Sequence, residues 1–392
     1  MIPVRPDSPI LSLFSGVAGL ELGLEAAGLG KPVGFYEHWT PAQEVLSRRF
    51  PDVPIHGDID GLAHFHGATM VTAGFPCTDL SQAGRTRGLD GLASGLVRRV
   101  LQVLKSSRPE WVLIENVPNM LRLGRGNAMT EITETLQEAG YNWAYRVIDS
   151  RSFGLPQRRR RVYLLASASA DPATVLFRSD VPSARADGAA VGAWRDAFGF
   201  YWTEGNRGLG WAVDAVPTLK GSTTVSIPSP PAVWLPRAAP GRRVVRLSIT
   251  AAERLQGLPA GWTDPAPARD RWKLVGNAVS VPAATWIGAG LLSPPPPSSV
   301  DALDRSPRPT DAPWPIAAHR IEGKTWHVHV SEWPLPPVGP ERHLSTVLRK
   351  HGCEPLSHRA TRGFRDRLLR SSLGYPEAFM RDLDDHVAST VR

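Results

Sequence analysis

Cys77 closes the tetrapeptide Gly74-Phe-Pro-Cys77, directly after the apolar run Met70-Val-Thr-Ala73. Proline fixes its own φ, so a thiol following it at a strand end is presented at a sheet edge rather than packed in a core. A thiolate there could act as a covalent nucleophile. A lone cysteine is more often buried and inert, so this one needs partners. Glu115 opens Glu115-Asn116-Val117 at the end of a second apolar run, Trp111-Val-Leu-Ile114. Negative charge hinders thiol ionisation, so a nearby acid makes sense only if it serves a nitrogen of the substrate. A third group is Gln157-Arg-Arg-Arg-Arg161. Alternate residues of an extended segment share a face, which groups Gln157, Arg159 and Arg161. Standing alone, it reads as a solvated basic run.

A fourth group is Phe14-Ser-Gly-Val-Ala-Gly19, after the apolar run Ile10-Leu-Ser-Leu13. Glycines at a strand-to-helix junction let a backbone approach a ligand, and helix N-terminal amides can bind a carboxylate. Glu37 follows about 20 residues later, where an acid can hold ribose hydroxyls. Asp58, in His56-Gly-Asp-Ile59, could reach an adenine edge. The alternative is a tight turn with two helix-capping acids.

These groups need a scaffold that brings strand ends together. From Ile10 to about Ala166, short apolar runs alternate with helical stretches: strands at 10–14, 33–36, 70–73, 111–114 and 161–165, and helices from about Leu20, from Pro41 to Phe50 and around Leu96–Leu104. This alternation predicts a parallel sheet covered on both faces, with its ligand at the carboxyl ends of the strands. Glu115 and Cys77 then share one edge. Residues 167–245 carry scattered prolines, Trp194, Trp202, Trp211 and Trp234, and little periodicity. The tryptophans are expected in a core. Helix-and-strand texture returns over 246–292. A Pro/Ser-rich linker is expected over 293–313, and an extension over 314–392 with a strand at Trp326–Val330 and a basic helix at Gly363–Leu373.

The chain has 392 residues, a formal net charge of +8, 37 prolines and two cysteines. The charge suits a polyanionic partner without requiring one. Two cysteines exclude a disulfide framework or a four-cysteine zinc site, and no metal is expected. The opening MIPVRPDSPILSLFSG lacks the charged and apolar regions of a secretory signal. No apolar run approaches the roughly 18–20 residues that cross a bilayer. A soluble, cytoplasmic protein is expected.

Together, and in this order, the groups resemble the cytosine-C5 DNA methyltransferase family of bacterial restriction–modification type, over roughly residues 10–166 and 246–290. Phe14-Ser-Gly-x-x-Gly19 resembles its cofactor loop, Pro76-Cys77 its nucleophile dipeptide, Glu115-Asn116-Val117 its acid motif and Gln157-x-Arg159-x-Arg161 its arginine motif. Arg246 through Glu253-Arg-Leu-Gln-Gly-Leu-Pro259 resembles the motif closing the recognition region. Gly276-Asn-Ala-Val279 resembles the last motif, which in this family folds back beside the first. The resemblance implies an α/β, Rossmann-like S-adenosylmethionine-dependent fold. It comprises a catalytic domain over 1–166, a small target-recognition domain over 167–245, a return to the catalytic domain over 246–292 and the C-terminal extension.

The resemblance further implies S-adenosylmethionine as donor, held by Phe14, Ser15, Gly16, Gly19, Glu37, His38, Asp58, Ile59 and Asn277, and a flipped-out cytosine of duplex DNA as acceptor. Cys77 would attack C6, Glu115 would hold a proton at N3, Arg159 would bind the ring carbonyl and Arg161 would support the acid or a phosphate. A monomer on DNA, with a cognate restriction endonuclease cutting the same site, is the expected setting. An enzyme acting on cytosine in RNA and a non-catalytic DNA-binding regulator are the alternatives. Three departures from the family pattern stand out: Thr78-Asp79-Leu80 before Ser81, His38 where some relatives carry a larger aromatic, and Ala252-Glu253 in place of Arg-Glu. None removes a catalytic group.

Val216-Pro-Thr-Leu-Lys-Gly221 resembles the Thr-Leu element of the recognition region. Which bases Arg195, Arg207 or Lys220 would read does not follow from sequence. Between Arg342 and Arg370 stand eight Lys/Arg against two Asp/Glu. Either an added DNA-backbone grip or a solvated basic appendage fits that bias. Cys353, His327 and His329 lack the further partners of a metal site.

Overall fold

The computed structural model describes residues 4–75, 92–181, 197–204, 208–221, 230–296, 298–309, 312–337, 339 and 342–389. Pro76, Cys77, the loop 78–88, Trp194, Arg195 and Arg207 lie outside the described residues. The chain divides into two units. One comprises Met1–Asp149, Arg160–Ser183 and Ala278–Pro336; the other comprises Ser150–Arg159, Ala184–Asn277 and Pro337–Arg392.

The first unit opens with β1 (Ile10–Leu13), α1 (Gly19–Ala26), β2 (Pro32–Tyr36), α2 (Thr40–Arg49), β3 (Ile55–His56) and β4 (Met70–Gly74). It continues with α3 (Leu92–Ser106), β5 (Trp111–Asn116), α4 (Asn127–Glu138) and β6 (Asn142–Asp149). After β7 (Gln157–Arg158), which belongs to the second unit, come β8 (Arg160–Ser167) and α5 (Ala173–Leu176). The second unit then supplies β9 (Phe198–Phe200), β10 (Ala212–Val213), β11 (Val216–Pro217), β12 (Ala232–Trp234), β13 (Val244–Leu247), α6 (Ile249–Leu255) and α7 (Ala268–Asn277). The chain returns to the first unit as α8 (Val281–Leu292), α9 (Ser298–Asp301), β14 (Arg305–Pro307), β15 (Ala317–Ile321) and β16 (Lys324–Val328). It ends in the second as α10 (Leu344–His351), β17 (Cys353–Pro355), α11 (His358–Leu369) and α12 (Glu377–Ser389).

Among the described residues the first unit's sheet runs β14-β16-β15-β6-β8-β5-β4-β1-β2-β3. From β3 to β5 the neighbours are parallel, but β8 is antiparallel to both β5 and β6. The sheet is therefore mixed, where strand–helix alternation predicted an all-parallel one. A parallel return needs a crossover of about a dozen residues or more, and the short segment 150–159 between β6 and β8 offers less. Leu11, Leu13, Val71, Ala73, Val112 and Ile114 bury one face under α3 and α4. α1 and α8 pack together elsewhere in the unit: a Cβ on Gly23 would lie 2.5 Å from the carbonyl oxygen of Val281. β15 extends the sheet at β6, with Ala318 opposite Tyr145.

The second unit's five-stranded sheet, β10-β9-β12-β13-β17, is antiparallel throughout. Alternation sorts its side chains. Val233, Val245 and Leu247 bury against α6 and α10, while Ala232, Trp234 and Val244 meet Phe364, Leu368, Phe379 and Leu383 of α11 and α12. Trp211 and Trp234 pack into that second core, tilted against each other and meeting the Phe379 ring. Residues 314–392, read from sequence as one extension, are divided between the units at Pro336/Pro337.

Candidate active site

The strand order changes direction between β1 and β4. At such a switch point the loops leaving neighbouring strands diverge and open a crevice for ligands. The loop after β1 carries left-handed backbone at Phe14 (φ 54°), Gly16 (φ 54°) and Ala18 (φ 61°). Glycine takes that conformation freely, whereas a bulky phenylalanine pays for it, and such residues cluster where a ligand is clamped. The Ser15 hydroxyl donates to the Ser12 carbonyl at 3.1 Å, which holds the turn. Among the described residues a Cβ on Gly16 would meet nothing within 4 Å, so none of them closes over the loop there. Gly19 has a different need for glycine: a Cβ there would lie 2.9 Å from the carbonyl oxygen of Val279. Its lack of a side chain lets the segment before α8 approach the loop.

Glu37 follows β2 and is 8% exposed. Its two carboxylate oxygens accept from the Gly16 amide and the Trp39 amide, both at 2.8 Å. It thus ties the loop to the start of α2 and keeps spare acceptor capacity, since a carboxylate offers about four lone-pair sites. The neighbouring His38 side chain is 75% exposed. Asp58 is exposed and caps the short turn Ile59–Gly61 by accepting from the Asp60 amide at 3.0 Å, with Ile59 buried. Asp58 thus caps a turn while Glu37 joins two loops, and both acids lie just beyond the carboxyl ends of β2 and β3.

Glu115 is placed by strand register. It pairs with Gly74 across β4 and β5, and its Oε2 would be 3.9 Å from a Cβ at that glycine. The segment carrying Pro76 and Cys77 departs directly after Gly74 and Phe75. Arg161, near the start of β8, sets its Nε 2.9 Å from Glu115 Oε1. That contact is an ion pair without hydrogen-bond alignment, and the oxygen, buried, takes no hydrogen bond among the described residues. Asn116 Oδ1 accepts from the Val117 amide at 2.7 Å, while its buried Nδ2 lacks an acceptor among the described residues. A buried polar atom without a hydrogen bond costs about 1–3 kcal/mol; the Arg161 charge offsets this at Glu115 Oε1, and nothing among the described residues does so at Asn116 Nδ2.

Burial alternates along Gln157 (0%), exposed Arg158 and Arg159 (1%). In the second unit Gln157 donates to the Leu255 carbonyl at 2.8 Å and accepts from the Leu219 amide at 2.9 Å. Arg159 Nη1 donates to the carbonyls of Leu219 at 3.1 Å and Gly276 at 3.3 Å. Gln157 thus ties Val216–Gly221 to the end of α6, and Arg159 ties it to the last turn of α7. Asn277 is exposed and lies over Gly221, where a Cβ would come 2.3 Å from its Oδ1.

Sequence reasoning passed over Glu21, in the first turn of α1. It is 2% exposed and accepts from the Thr72 hydroxyl of β4 at 2.5 Å. Burial pushes its carboxyl above the ordinary glutamate range, partly offset by the Thr72 and Ser12 hydroxyls. An acid in the first turn of a helix gave no signal of this, because its Thr72 partner comes from a strand 51 residues away in sequence. Among the described residues no group of three or more His, Cys, Asp or Glu could hold a metal, and no single helix is long and apolar enough to cross a membrane.

The family model of the C-5 cytosine-specific DNA methylases matches residues 9–186. The chain is 43% identical to the type II methyltransferase M2.BsuMI of Bacillus subtilis strain 168, over 96% of this chain and 97% of that protein. It is 27% identical to M.NgoBI of Neisseria gonorrhoeae, over 69% of this chain and 89% of that one. In fold it resembles the Dnmt2 methyltransferase of S. pombe, with a TM-score of 0.55, 17% identity, and coverage of 73% of this chain and 98% of that one. The Entamoeba histolytica methyltransferase EhMeth is similar at a TM-score of 0.53 and 13% identity, covering 74% and 98%. On this match to a relative over nearly its whole length, the chain belongs to the C-5 cytosine-specific DNA methylase family and is a DNA (cytosine-5-)-methyltransferase.

Proposed function

We propose that the protein moves a methyl group from S-adenosylmethionine to C5 of a cytosine flipped out of duplex DNA, through a transient bond between Cys77 Sγ and C6. The observation that carries this reading is the register that sets Glu115 beside Gly74, two residues before Pro76-Cys77. The loop at Phe14, Ser15, Gly16 and Gly19, with Glu37, His38, Asp58, Ile59 and Asn277, is assigned to the donor. The space that the described residues leave at Gly16 and the spare acceptor sites of Glu37 fit a nucleoside with a charged tail. When bound, the donor supplies an electrophilic methyl.

Carbon 5 of cytosine is a poor nucleophile inside an aromatic ring. Addition of the Cys77 thiolate at C6 pushes the C5–C6 electron pair toward C5, with Glu115 holding a proton at N3. This divides one hard step into two easier ones. C5 takes the methyl as the donor's sulfur–methyl bond breaks, a water accepts the C5 proton, and the Cys77–C6 bond breaks as the double bond re-forms. Arg159 is assigned to the ring carbonyl, and Arg161 to holding Glu115, with which it already pairs. No metal enters this scheme. The protein works as a cytoplasmic monomer on DNA, as the modification half of a restriction–modification pair whose endonuclease cuts the same site.

Bisulfite sequencing of DNA from cells expressing the chain tests this directly. One methylated cytosine within a recurring short sequence is the expected result. Unmethylated DNA beside methylated RNA from the same cells would overturn the reading.

A further inference from the structure

The outward side of α11 is charged in a way the fold does not use. Thr361, Phe364 and Leu368 are fully buried, and helical periodicity turns Arg359, Arg362, Asp366 and Arg370 to the opposite side. Two other arginines of this helix serve the fold. Arg365 pairs with Asp366 at 3.0 Å and Asp384 at 3.1 Å, and Arg367 donates to the carbonyls of Trp202 at 2.7 Å and Glu204 at 2.9 Å. Arg359, Arg362 and Arg370 are exposed and have no ion-pair or hydrogen-bond partner among the described residues. Like charges one turn apart weaken a helix slightly, so the fold gains nothing from keeping them together.

The same helix is braced against the segment tied to the recognition element. Arg367 grips the Glu204 carbonyl, and the Glu204 carboxylate pairs with Lys220 at 3.0 Å, within Val216–Gly221. We infer that Arg359, Arg362 and Arg370 form a ridge that grips the phosphate backbone of duplex DNA without reading its sequence. The inference rests on the proposed action on duplex DNA. From Arg359 to Arg370 the ridge is about 16 Å long at 1.5 Å per residue. Duplex DNA carries a charge about every 1.7 Å of its axis, so such a ridge meets several phosphates on any sequence. Contacts of this kind fix position and leave specificity to base edges.

The test measures the salt dependence of binding to a duplex containing the target site, for the full-length protein and for R359Q/R362Q/R370Q. Losing three phosphate contacts should lower the slope of log K against log salt by about 2.7. The methylated sequence, S-adenosylmethionine binding and thermal midpoint should stay as in the wild type. The lysine triple R359K/R362K/R370K should restore the slope. A glutamine variant that folds normally and keeps the wild-type slope overturns the ridge while leaving the methyltransfer reading intact. Wild-type protein that neither binds nor methylates duplex DNA overturns both.

Discussion

Glu115 is fixed by two independent constraints: backbone register sets it opposite Gly74, and Arg161 holds its carboxylate. A side chain so restrained can meet a ring nitrogen without first being ordered, which is where positioned acid–base groups gain their effect. Glu115→Gln keeps the size and loses the acid. Its kcat should fall about 10²–10⁴-fold, with DNA affinity within a few-fold of wild type, as read by methyl incorporation and by gel shift. Wild-type turnover in that variant would remove Glu115 from the chemistry. The glycines show how residue and context separate. Among the described residues nothing crowds Gly16, while Gly19 makes way for Val279. Both stand in one motif, and only packing tells them apart.

At the scale of elements, the strands legible in sequence were those whose apolar runs are buried on both faces, such as Met70–Gly74 and Trp111–Asn116. β6 was not, because Asn142-Trp-Ala-Tyr-Arg-Val-Ile-Asp149 carries Arg146, a charge that looks surface-bound. The structure buries Arg146 completely and satisfies it with Asp180 and the carbonyls of Leu176, Ser179 and Ser331. β15 was missed too, since it joins the sheet from about 170 residues downstream.

His319 of β15 makes that junction testable. Burial, helped by Arg305, lowers it from 6.5 to about 4. It stays neutral in the fold but takes a proton on unfolding below its ordinary value. Its contribution to stability is therefore full above pH 6.5 and is lost as pH falls toward 4, by on the order of 2–3 kcal/mol. His319→Phe should narrow the gap in thermal midpoint between pH 7 and pH 4.5. An unchanged gap would contradict this placement of the ring.

For the whole molecule, the C-terminal residues are structural members of the second unit. Phe364, Leu368, Phe379 and Leu383 fill one face of its sheet, β17 extends that sheet, and Asp382 accepts from Trp234 at 2.8 Å and pairs with Arg243 at 2.6 Å. The likeness to M2.BsuMI, running over 96% of the chain, takes in this segment. A chain ending at Pro336 should lose the protease resistance of residues 197–277 and the cooperative melting of the second unit. Equal resistance in the shortened chain would return the segment to the status of an appendage. The chemistry assigned to the first unit rests on one bond, from Cys77 to C6. Target DNA bearing 5-fluorocytosine puts fluorine where a proton must leave, so the bond cannot be released. With S-adenosylmethionine present, the wild type should form an adduct that survives denaturing electrophoresis, and Cys77→Ser should form none. No adduct from protein that methylates ordinary DNA, or an equal adduct from the serine variant, would contradict the covalent mechanism.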